Sequence, residues 1–412
     1  SGKGINVRTE LLMKQLSIPA AFIRGGTSNA IVFKDRDLPE RAYWDEFFLA
    51  AMGTPDPNGR QLNGMGGGIS SLSKVCVVGI SDHPDADIDY TFAQIGVRDA
   101  TVGYNANCGN MSAAMGPFAV DEGMVTPQLV DGQAMVRVLN TNTNKILHAY
   151  FDLDEGLSAV DGDYELKGVA GTGSPIRMAF QTPGGASTGK LLPTGNTKDT
   201  LNIPGLGKIE VSIVDAANTV VTVHAESVGM KGTELPDEID ANAELMEKLE
   251  LIRSHAGAMI GFGETSEEVS RNSPVTPFIG FVSPPQDAVL MSGEALPAET
   301  GHLTARILSS GNCHRALPLT CTMCTATASR ITGTIQHEVS RKPKHDKDDI
   351  IVMHGSGFID INVSVHQKSN GEWFVEQTSA YRTQRRLFDG KVYVSPSSVP
   401  SYAKVKIANA AE

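Results

Sequence analysis

Residues 104–115, YNANCGNMSAAM, join turn-forming asparagine and glycine residues to a run of small residues. We predict that a helix opens within 107–110, because Asn and Gly suit a turn that brings backbone close to a ligand. Small residues on every side are typical of a buried helix with little polar face. A second segment of this kind opens near Leu319-Thr320 and runs to Ile331. Each half of the chain is therefore predicted to contain one buried helix.

Short β-rich runs surround both of these helices. They include residues 30–33, 75–78, 136–139, 147–151, 209–214, 220–223, 278–282 and 358–365. This distribution favours an α+β duplication over an alternating βαβ chain. A Pro/Gly/Ser-rich stretch at 182–187 follows a predicted strand and is typical of a boundary. We therefore predict domains at 17–186 and 187–404, and the last strands are candidates to pack back on the first domain.

Composition limits the classes of partner. The 412 residues are 41% hydrophobic and 20% charged, as in a globular protein, and the net charge is −12. That charge argues against nucleic acid or an anionic membrane as a partner, and without an apolar run of about 18 residues we expect no transmembrane helix. The five cysteines lack disulfide-framework spacing, which indicates reduced thiols and a cytoplasmic location.

Cys108 is the first candidate catalytic residue. A cysteine at a helix N-terminus lies among free backbone N–H groups at the positive end of the helix dipole, which favours the thiolate. Such a side chain can accept or donate a proton near neutral pH. A buried structural cysteine is the alternative, and the pattern alone leaves it open.

Residues 64–74, GMGGGISSLSK, form the second candidate feature. Exposed N–H groups on a glycine-rich turn, followed by hydroxyls and Lys74, predict a cradle for a carboxylate or phosphate. The candidate residues are Gly66, Gly67, Ser71, Ser73 and Lys74. The spacing of a nucleotide-binding loop is absent. A surface loop before the strand at 75–78 is the alternative.

Three further segments are weaker candidates for the same cavity. Residues 24–28, RGGTS, offer Arg24, Gly25, Thr27 and Ser28, although a tight hairpin explains them equally well. Thr194, Gly195 and Asn196 form a turn just past the predicted boundary, where ligand clefts are common. His314 is placed either to bind a carboxylate or to cap a loop. We interpret Cys321 and Cys324 as core residues, since no partner motif completes a metal site.

Taken in order, these segments resemble the methylaconitate cis–trans isomerase (PrpF) family. Its relatives include methylitaconate Δ-isomerase, 4-oxalomesaconate tautomerase and fungal aconitate Δ-isomerase. The resemblance extends from about Ile18 to about Lys404. The strongest matches lie at 70–74, 85–90 and 107–110, and weaker ones lie at 193–196, 232–235, His314, Ala316, Arg382, Arg385, Arg386 and Gly390.

The resemblance implies a fold similar to diaminopimelate epimerase, with two like domains that each wrap a curved sheet around a central helix. It implies an active site between them, with Lys74 and Cys108 as the catalytic pair. Substrate-binding residues would then include Asn107, Gly109 and Asn110. The implied reaction moves a proton and a double bond, or isomerises cis to trans, on a small unsaturated di- or tricarboxylic acid. It implies no cofactor and no metal, and it makes a homodimer plausible.

Alternatives stay open at this point. Residues 184–192 look more like the methylitaconate and oxalomesaconate branch than the methylaconitate branch, so the substrate is not fixed. Epimerases of this fold use one cysteine from each domain, which makes a two-cysteine racemase with Cys313 or Cys321 a second hypothesis. A non-catalytic protein that binds polycarboxylates is the third.

Overall fold

A computed structural model of the chain describes residues 14–410. The strands are β1 Leu16–Gly25, β2 Ser28–Lys34, β3 Lys74–Ile80, β4 Ile88–Ile95, β5 Val102–Gly103, β6 Gln128–Val130, β7 Gln133–Asn140, β8 Lys145–Phe151, β9 Leu153–Asp154, β10 Leu157–Ser158, β11 Ile176–Gln181, β12 Asp199–Ile203, β13 Gly207–Ala216, β14 Asn218–His224, β15 Phe278–Ser283, β16 Ala288–Val289, β17 Ala295–Leu296, β18 Leu303–Ser309, β19 Asn312–Cys313, β20 Ile350–His354, β21 Gly357–Gln367, β22 Trp373–Arg382 and β23 Gln384–Val394. The helices are α1 Trp44–Met52, α2 Gly109–Asp121, α3 Pro236–Ala241, α4 Ala243–Met259, α5 Ser266–Asn272, α6 Leu319–Ser329, α7 Ile335–Val339 and α8 Pro400–Ala410.

The first buried helix, α2, is surrounded by strands paired in the order β23-β1-β2-β3-β4-β7-β8-β11. Every α2 residue from Gly109 to Val120 is buried. Small residues are needed because the sheet closes tightly on the helix. A Cβ on Gly116 would lie 3.1 Å from the Phe151 ring and 3.2 Å from the Ala149 Cβ. The prediction of a buried helix at this point is confirmed.

The second buried helix, α6, is surrounded in the same way by β22-β21-β20-β18-β15-β14-β13-β12. All of its residues are buried although several are threonines. The hydroxyls of Thr322, Thr325 and Thr327 each donate to a carbonyl one turn back, as Thr325 does to Cys321 at 2.9 Å and Thr327 does to Met323 at 2.8 Å. A buried polar group costs little once it is hydrogen-bonded, so these threonines pack like valines. The predicted second helix and the α+β class are also confirmed.

The two halves share one continuous sheet. Strands β11 and β22 pair antiparallel from Ile176↔Arg382 to Gln181↔Gln377. The chain then crosses back at Thr383, and β23 pairs with β1 from Leu16↔Val394 to Gly25↔Gln384. The last long strand therefore belongs to the sheet around α2. The predicted boundary between residues 186 and 187 falls before β12 and stays a prediction.

One buried histidine, His354 at the end of β20, makes the fold sensitive to acid. It is 2% exposed, its Nδ1 accepts the Ser356 N–H at 3.1 Å, and its buried Nε2 has no partner within residues 14–410. Burial, aided by Arg306 and Arg382, lowers the pKa of His354 to about 3. The unfolded chain then binds more protons than the folded chain between the ordinary histidine pKa and about 3, so stability falls as the pH falls through that window.

We expect His354→Asn to flatten the acid side of the stability curve. One proton corresponds to about 1.4 kcal/mol of unfolding free energy per pH unit, and the slope between about pH 6 and pH 4 should fall by roughly that amount. Urea unfolding at several pH values measures it. His83→Asn is the matched control, because the exposed His83 Nδ1 accepts the Asp85 N–H at 3.0 Å in the same way. An unchanged slope in His354→Asn would contradict the assignment.

Candidate active site

Lys74 and Cys108, 34 residues apart in the chain, lie side by side at the start of α2. The Lys74 Nζ donates to the Cys108 Sγ at 3.6 Å. Cys108 is the N-cap of α2, and its Sγ also accepts the Met111 N–H at 3.5 Å. The Cys108 residue is 6% exposed. An amine and a thiol at this distance can pass a proton directly between them.

Gln94 fixes the position of the lysine. Lys74 and Gln94 face each other across the β3–β4 pair, and the Lys74 Nζ donates to the Gln94 Oε1 at 3.1 Å. The Gln94 Nε2 donates to the carbonyls of Ser70 and Ser73 at 2.9 and 3.0 Å, which orients the amide oxygen toward the amine. The Phe92 ring lies 5.0 Å from the ammonium. Sequence reasoning missed Gln94, because only the strand register places it opposite Lys74.

The glycine-rich turn does not supply the N–H groups that were predicted for it. The backbone N–H groups of residues 64–68 all donate within the protein, Gly66 to the Met52 carbonyl at 3.2 Å and Gly67 to the Leu72 carbonyl at 3.1 Å. Ser73 is fully buried and its Oγ accepts from the Gln61 Nε2 at 2.7 Å. Gly66, Gly67 and Ser73 therefore shape this turn and do not form an open cradle, and that part of the prediction is wrong.

The free donors lie a few residues further on. Ser70–Leu72 form a 3-10 turn directly before Lys74, and the N–H groups of Ser70 and Ser71 have no acceptor among the described residues. The same holds for the N–H groups of Gly109 and Asn110, in the first turn of α2 beside Cys108. The first two donors lie shortly before Lys74 in the chain, and the other two directly follow Cys108. They are the groups that suit a developing negative charge.

The β1–β2 hairpin packs against the start of α2. A Cβ on Gly25 would lie 2.7 Å from the Asn110 carbonyl oxygen, and one on Gly26 would collide with the Asn110 Oδ1. Gly26 also has a positive φ of 51°, which favours glycine. The Asn110 Oδ1 accepts the Thr27 N–H at 3.3 Å. Gly25, Thr27 and the neighbouring buried Ser28 thus lie at the predicted site.

Arg24 has a supporting role. Its Nη1 donates to the carbonyls of Gly26 and Thr383, both at 3.0 Å, and so ties the hairpin to the chain crossing between β22 and β23. Burial, and then the nearby Arg385, lower the pKa of Arg24. The acceptors of this guanidinium are two backbone carbonyls and the Thr383 Oγ1 at 3.1 Å, so Arg24 holds the hairpin against the crossing.

Asn107 and Gly109 join the two halves at the site. The Asn107 carbonyl accepts from the Asn218 Nδ2 at 3.3 Å and from the Thr320 Oγ1 at 3.1 Å. A Cβ on Gly109 would lie 3.0 Å from the Leu319 Cβ and from the Thr320 Cγ2. The beginnings of α2 and α6 therefore meet, and the Lys74–Cys108 pair lies at this junction.

His314 reaches the same region from the second half. Its Nε2 lies 2.7 Å from the Ser309 Oγ. Burial, with added repulsion from Lys74 and Arg315, lowers the pKa of His314 to about 3. The ring is therefore neutral near pH 7 and lies within electrostatic range of Lys74. A role for His314 in binding substrate stays a prediction.

Thr194, Gly195 and Asn196 do not join the pair. The Thr194 Oγ1 and the Asn196 Nδ2 donate to Asp199 at 2.6 and 2.9 Å, which closes the turn on itself. The following Thr197 carbonyl accepts from the Ser212 Oγ at 2.7 Å. Strand β13 ends near Asn107 at Ala216, four residues after Ser212. At the rise of a strand, Ser212 and Ala216 are roughly 13 Å apart. These three residues form a turn, and their place in the substrate site stays a prediction.

The other four cysteines are fully buried. Cys313 packs with α4 in a separate apolar cluster, where burial raises the pKa of its thiol to about 12. Cys321 lies in the first turn of α6, and burial raises the pKa of its thiol as well. Neither has the exposure that a second catalytic thiol needs, so the geometry favours one reactive cysteine over two.

One group of side chains outside the site has metal-ligand character. Ligand atoms of Glu210, His224 and Glu338 lie within 4.8 Å of one another. The Lys198 Nζ donates to Glu338 and lies 3.6 Å from the Glu210 Oε1, so a cation already balances these carboxylates. A surface depression of about 540 Å³ beside α1 is likewise separate, lined by Glu46, Asp56 and other residues that were not predicted for the site.

Comparison with known proteins defines the family. The PrpF protein family model matches residues 15–395, and the chain belongs to this family. The 3-methylitaconate isomerase of Eubacterium barkeri is 42% identical over 387 residues, which cover 93% of this chain and 99% of that protein. The 2-methyl-aconitate isomerase of Shewanella oneidensis is 32% identical and covers 93% of this chain and 98% of its own length.

Solved structures agree with the fold. A crystal structure of methylitaconate-delta-isomerase superposes with a TM-score of 0.76 at 42% identity, covering 93% of this chain and 97% of that one. A hydroxyproline epimerase from Agrobacterium vitis superposes with a TM-score of 0.54 at 10% identity over 93% of this chain and 94% of its own, which bears on the fold alone. The predicted epimerase-like fold is confirmed. Within residues 14–410, every helix is too short or too polar to cross a bilayer.

We expect iodoacetamide to modify Cys108 before any other cysteine. The other four thiols are fully buried, and Cys108 alone among the five has both some exposure and an amine beside it. Peptide mass spectrometry of briefly treated, folded protein identifies the labelled residue. Cys108→Ser should take up no label in the same time, and Lys74→Met should take it up more slowly. First labelling at Cys313 or Cys321 would contradict this site.

Proposed function

We propose that this protein is an isomerase that moves a proton, and with it a C=C bond, on a small unsaturated di- or tricarboxylic acid. The observation that carries the proposal is the 3.6 Å contact between the Lys74 Nζ and the Cys108 Sγ. Backbone N–H groups without an acceptor lie near both residues in the chain. Relatives that match nearly the whole chain are named as isomerases of such acids. The proposed reaction exchanges protons only, so it requires neither a cofactor nor a metal.

In the proposed mechanism the neutral Lys74 amine removes a proton from the carbon allylic to the double bond. The electron pair moves into a new C=C bond, and negative charge spreads onto the neighbouring carboxylate as a dienolate. The Cys108 thiol then returns a proton at the far carbon of the allyl unit. The enzyme is left with an ammonium and a thiolate, and transfer of one proton from the Nζ to the Sγ restores the starting state.

The barrier lies mainly in the charge that develops on the carboxylate. Preorganised donors near that oxygen lower it, because they need not reorganise as the charge forms. The N–H groups of Ser70, Ser71, Gly109 and Asn110 are suited to this, and the helix dipole of α2 adds to the effect. Neutral His314 adds no charge of its own near Lys74.

We favour methylitaconate, or an acid close to it, as the substrate. Support comes from the 42% identical relative that carries this name, and from residues 184–192, whose sequence favours the same branch. Methylaconitate, oxalomesaconate and aconitate differ from it by a methyl, keto or carboxylate group and are the competing substrates. A homodimer and a cytoplasmic location remain predictions, the first from the family resemblance and the second from the free thiols.

Proton NMR in deuterated water tests the function directly. Wild-type protein should shift the double bond of one of these acids and place deuterium at the allylic carbons. Cys108→Ala and Lys74→Met should each lower kcat by roughly 10²–10⁴-fold, since each removes one proton-transfer group. Near-normal turnover by either variant would overturn the mechanism. The exposed Lys208→Met and the buried Cys321→Ser are matched controls, and both should keep wild-type activity.

The same assay separates the two roles. If Lys74 is the base, Cys108→Ala should still exchange the allylic proton of the substrate with deuterium while forming almost no product. Lys74→Met should lose both exchange and product. The opposite pattern would assign the base to Cys108. The two-cysteine racemase predicts a different result. The wild type would exchange the α-hydrogen of a chiral acid, and Cys321→Ser would lose this exchange.

A further inference from the structure

Arg382 is a buried guanidinium at the end of β22, next to the start of α2. It is 2% exposed. Its Nε donates to the Asn110 Oδ1 at 3.0 Å, and its Nη1 makes a long contact of 3.4 Å to the Tyr381 carbonyl. Asn110 is the second residue of α2, so the guanidinium lies one helical turn or less from Cys108.

Arg382 has no carboxylate within ion-pair distance among residues 14–410. The buried Arg253 shows what a satisfied guanidinium looks like in this protein. It forms an ion pair with Glu250 at 2.7 Å and donates to the carbonyls of Ser273 and Pro277 at 2.9 and 3.0 Å. Burying a cation without an anion costs several kcal/mol. The buried charge of Arg382 is therefore unfavourable, and a bound anion would stabilise it.

The electrostatic surroundings of Arg382 include the Cys108 thiol. Burial lowers the pKa of Arg382 to about 10, and the groups that oppose this shift are the Tyr164 hydroxyl and the Cys108 thiol. The Asn110 Oδ1 that binds Arg382 also accepts the Thr27 N–H. Arg382, Thr27 and Cys108 are therefore arranged around one residue, Asn110.

Residues 162–174 cover Arg382 and the start of α2. A Cβ on Gly168 would lie 3.5 Å from the Thr27 Cγ2 and 3.7 Å from the Ala316 Cβ, so the segment spans both halves. Its Tyr164 ring lies 5.8 Å from the Tyr381 ring, and a Cβ on Gly173 would lie 3.3 Å from the Thr383 Cβ. Covering the guanidinium keeps bulk water away and strengthens its attraction for an anion.

We propose that Arg382 binds the substrate carboxylate that gains charge in the dienolate. A guanidinium presents parallel N–H groups that match both oxygens of a carboxylate. This inference rests on the proposed isomerase function and adds to it the group that neutralises the intermediate. Because the carboxylate becomes more negative on proton removal, the contact strengthens in the transition state and affects kcat as well as KM.

The test uses Arg382→Gln and Arg382→Lys in the full chain, with the exposed Arg385→Gln as the control from the same crossing. We expect Arg382→Gln to lower kcat/KM by roughly 10²–10³-fold, as loss of one stabilising donor group does, with kcat itself reduced. Arg382→Lys keeps the charge without the paired N–H groups and should recover only part of the loss. Arg385→Gln should behave like wild type.

Binding is measured separately from turnover. Saturated methylsuccinate, which has no double bond to move, should raise the melting temperature of the wild type and of Arg385→Gln but not of Arg382→Gln. Methylguanidinium at millimolar concentration should partly restore turnover or ligand stabilisation to Arg382→Ala, which a merely structural role would not produce.

The outcomes distinguish the two proposals. Binding of methylsuccinate that depends on Arg382, without turnover of any acid tested, supports the carboxylate site and overturns the isomerase function. Turnover that survives Arg382→Gln within about threefold overturns the role of Arg382 and leaves the function intact. Wild-type protein that neither binds methylsuccinate nor turns over any of the acids overturns both.

Discussion

The N-cap of α2 is the contact on which both the fold and the site depend. The Cys108 carbonyl accepts from the Ser112 N–H and Oγ at 3.0 and 2.8 Å, and from the Tyr90 Oη at 3.4 Å. Its side chain meanwhile accepts from Lys74 and from the Met111 N–H. One residue thus begins a buried helix and presents the thiol. The preceding Asn107 carbonyl binds the other half of the protein, so the position of the thiol is set by both halves together.

The sequence predicts the elements whose signal lies within one segment. It does not predict contacts that depend on how strands pair. The two buried helices follow from small residues in a run, since that signal lies within one segment. Strand β23 was not predicted, because its middle is exposed and carries Arg385, Arg386, Asp389 and Lys391. Gln94 and Arg382 act through partners that are distant in the chain, and no local pattern marks them.

The glycine-rich turn shows why composition did not predict free donors. Glycines at 64–68 suggest exposed N–H groups, yet each N–H has an acceptor once α1 and Gln61 pack beside the turn. The donors that remain free are those at helix starts, where geometry leaves the first N–H groups without an intrahelical acceptor.

A net charge of −12 places an electrostatic demand on any site for a polycarboxylate. Two fixed features meet that demand at one place: the first turn of α2 and the Arg382 guanidinium. His314 is held neutral by burial, so it adds no positive charge that would vary near pH 7. The positive potential is therefore supplied by the Arg382 guanidinium and by backbone dipoles. Arg382 and the backbone dipoles attract the acid, whereas Lys74 and Cys108 transfer the proton. Lys74 can therefore lose its proton while Arg382 still binds the acid.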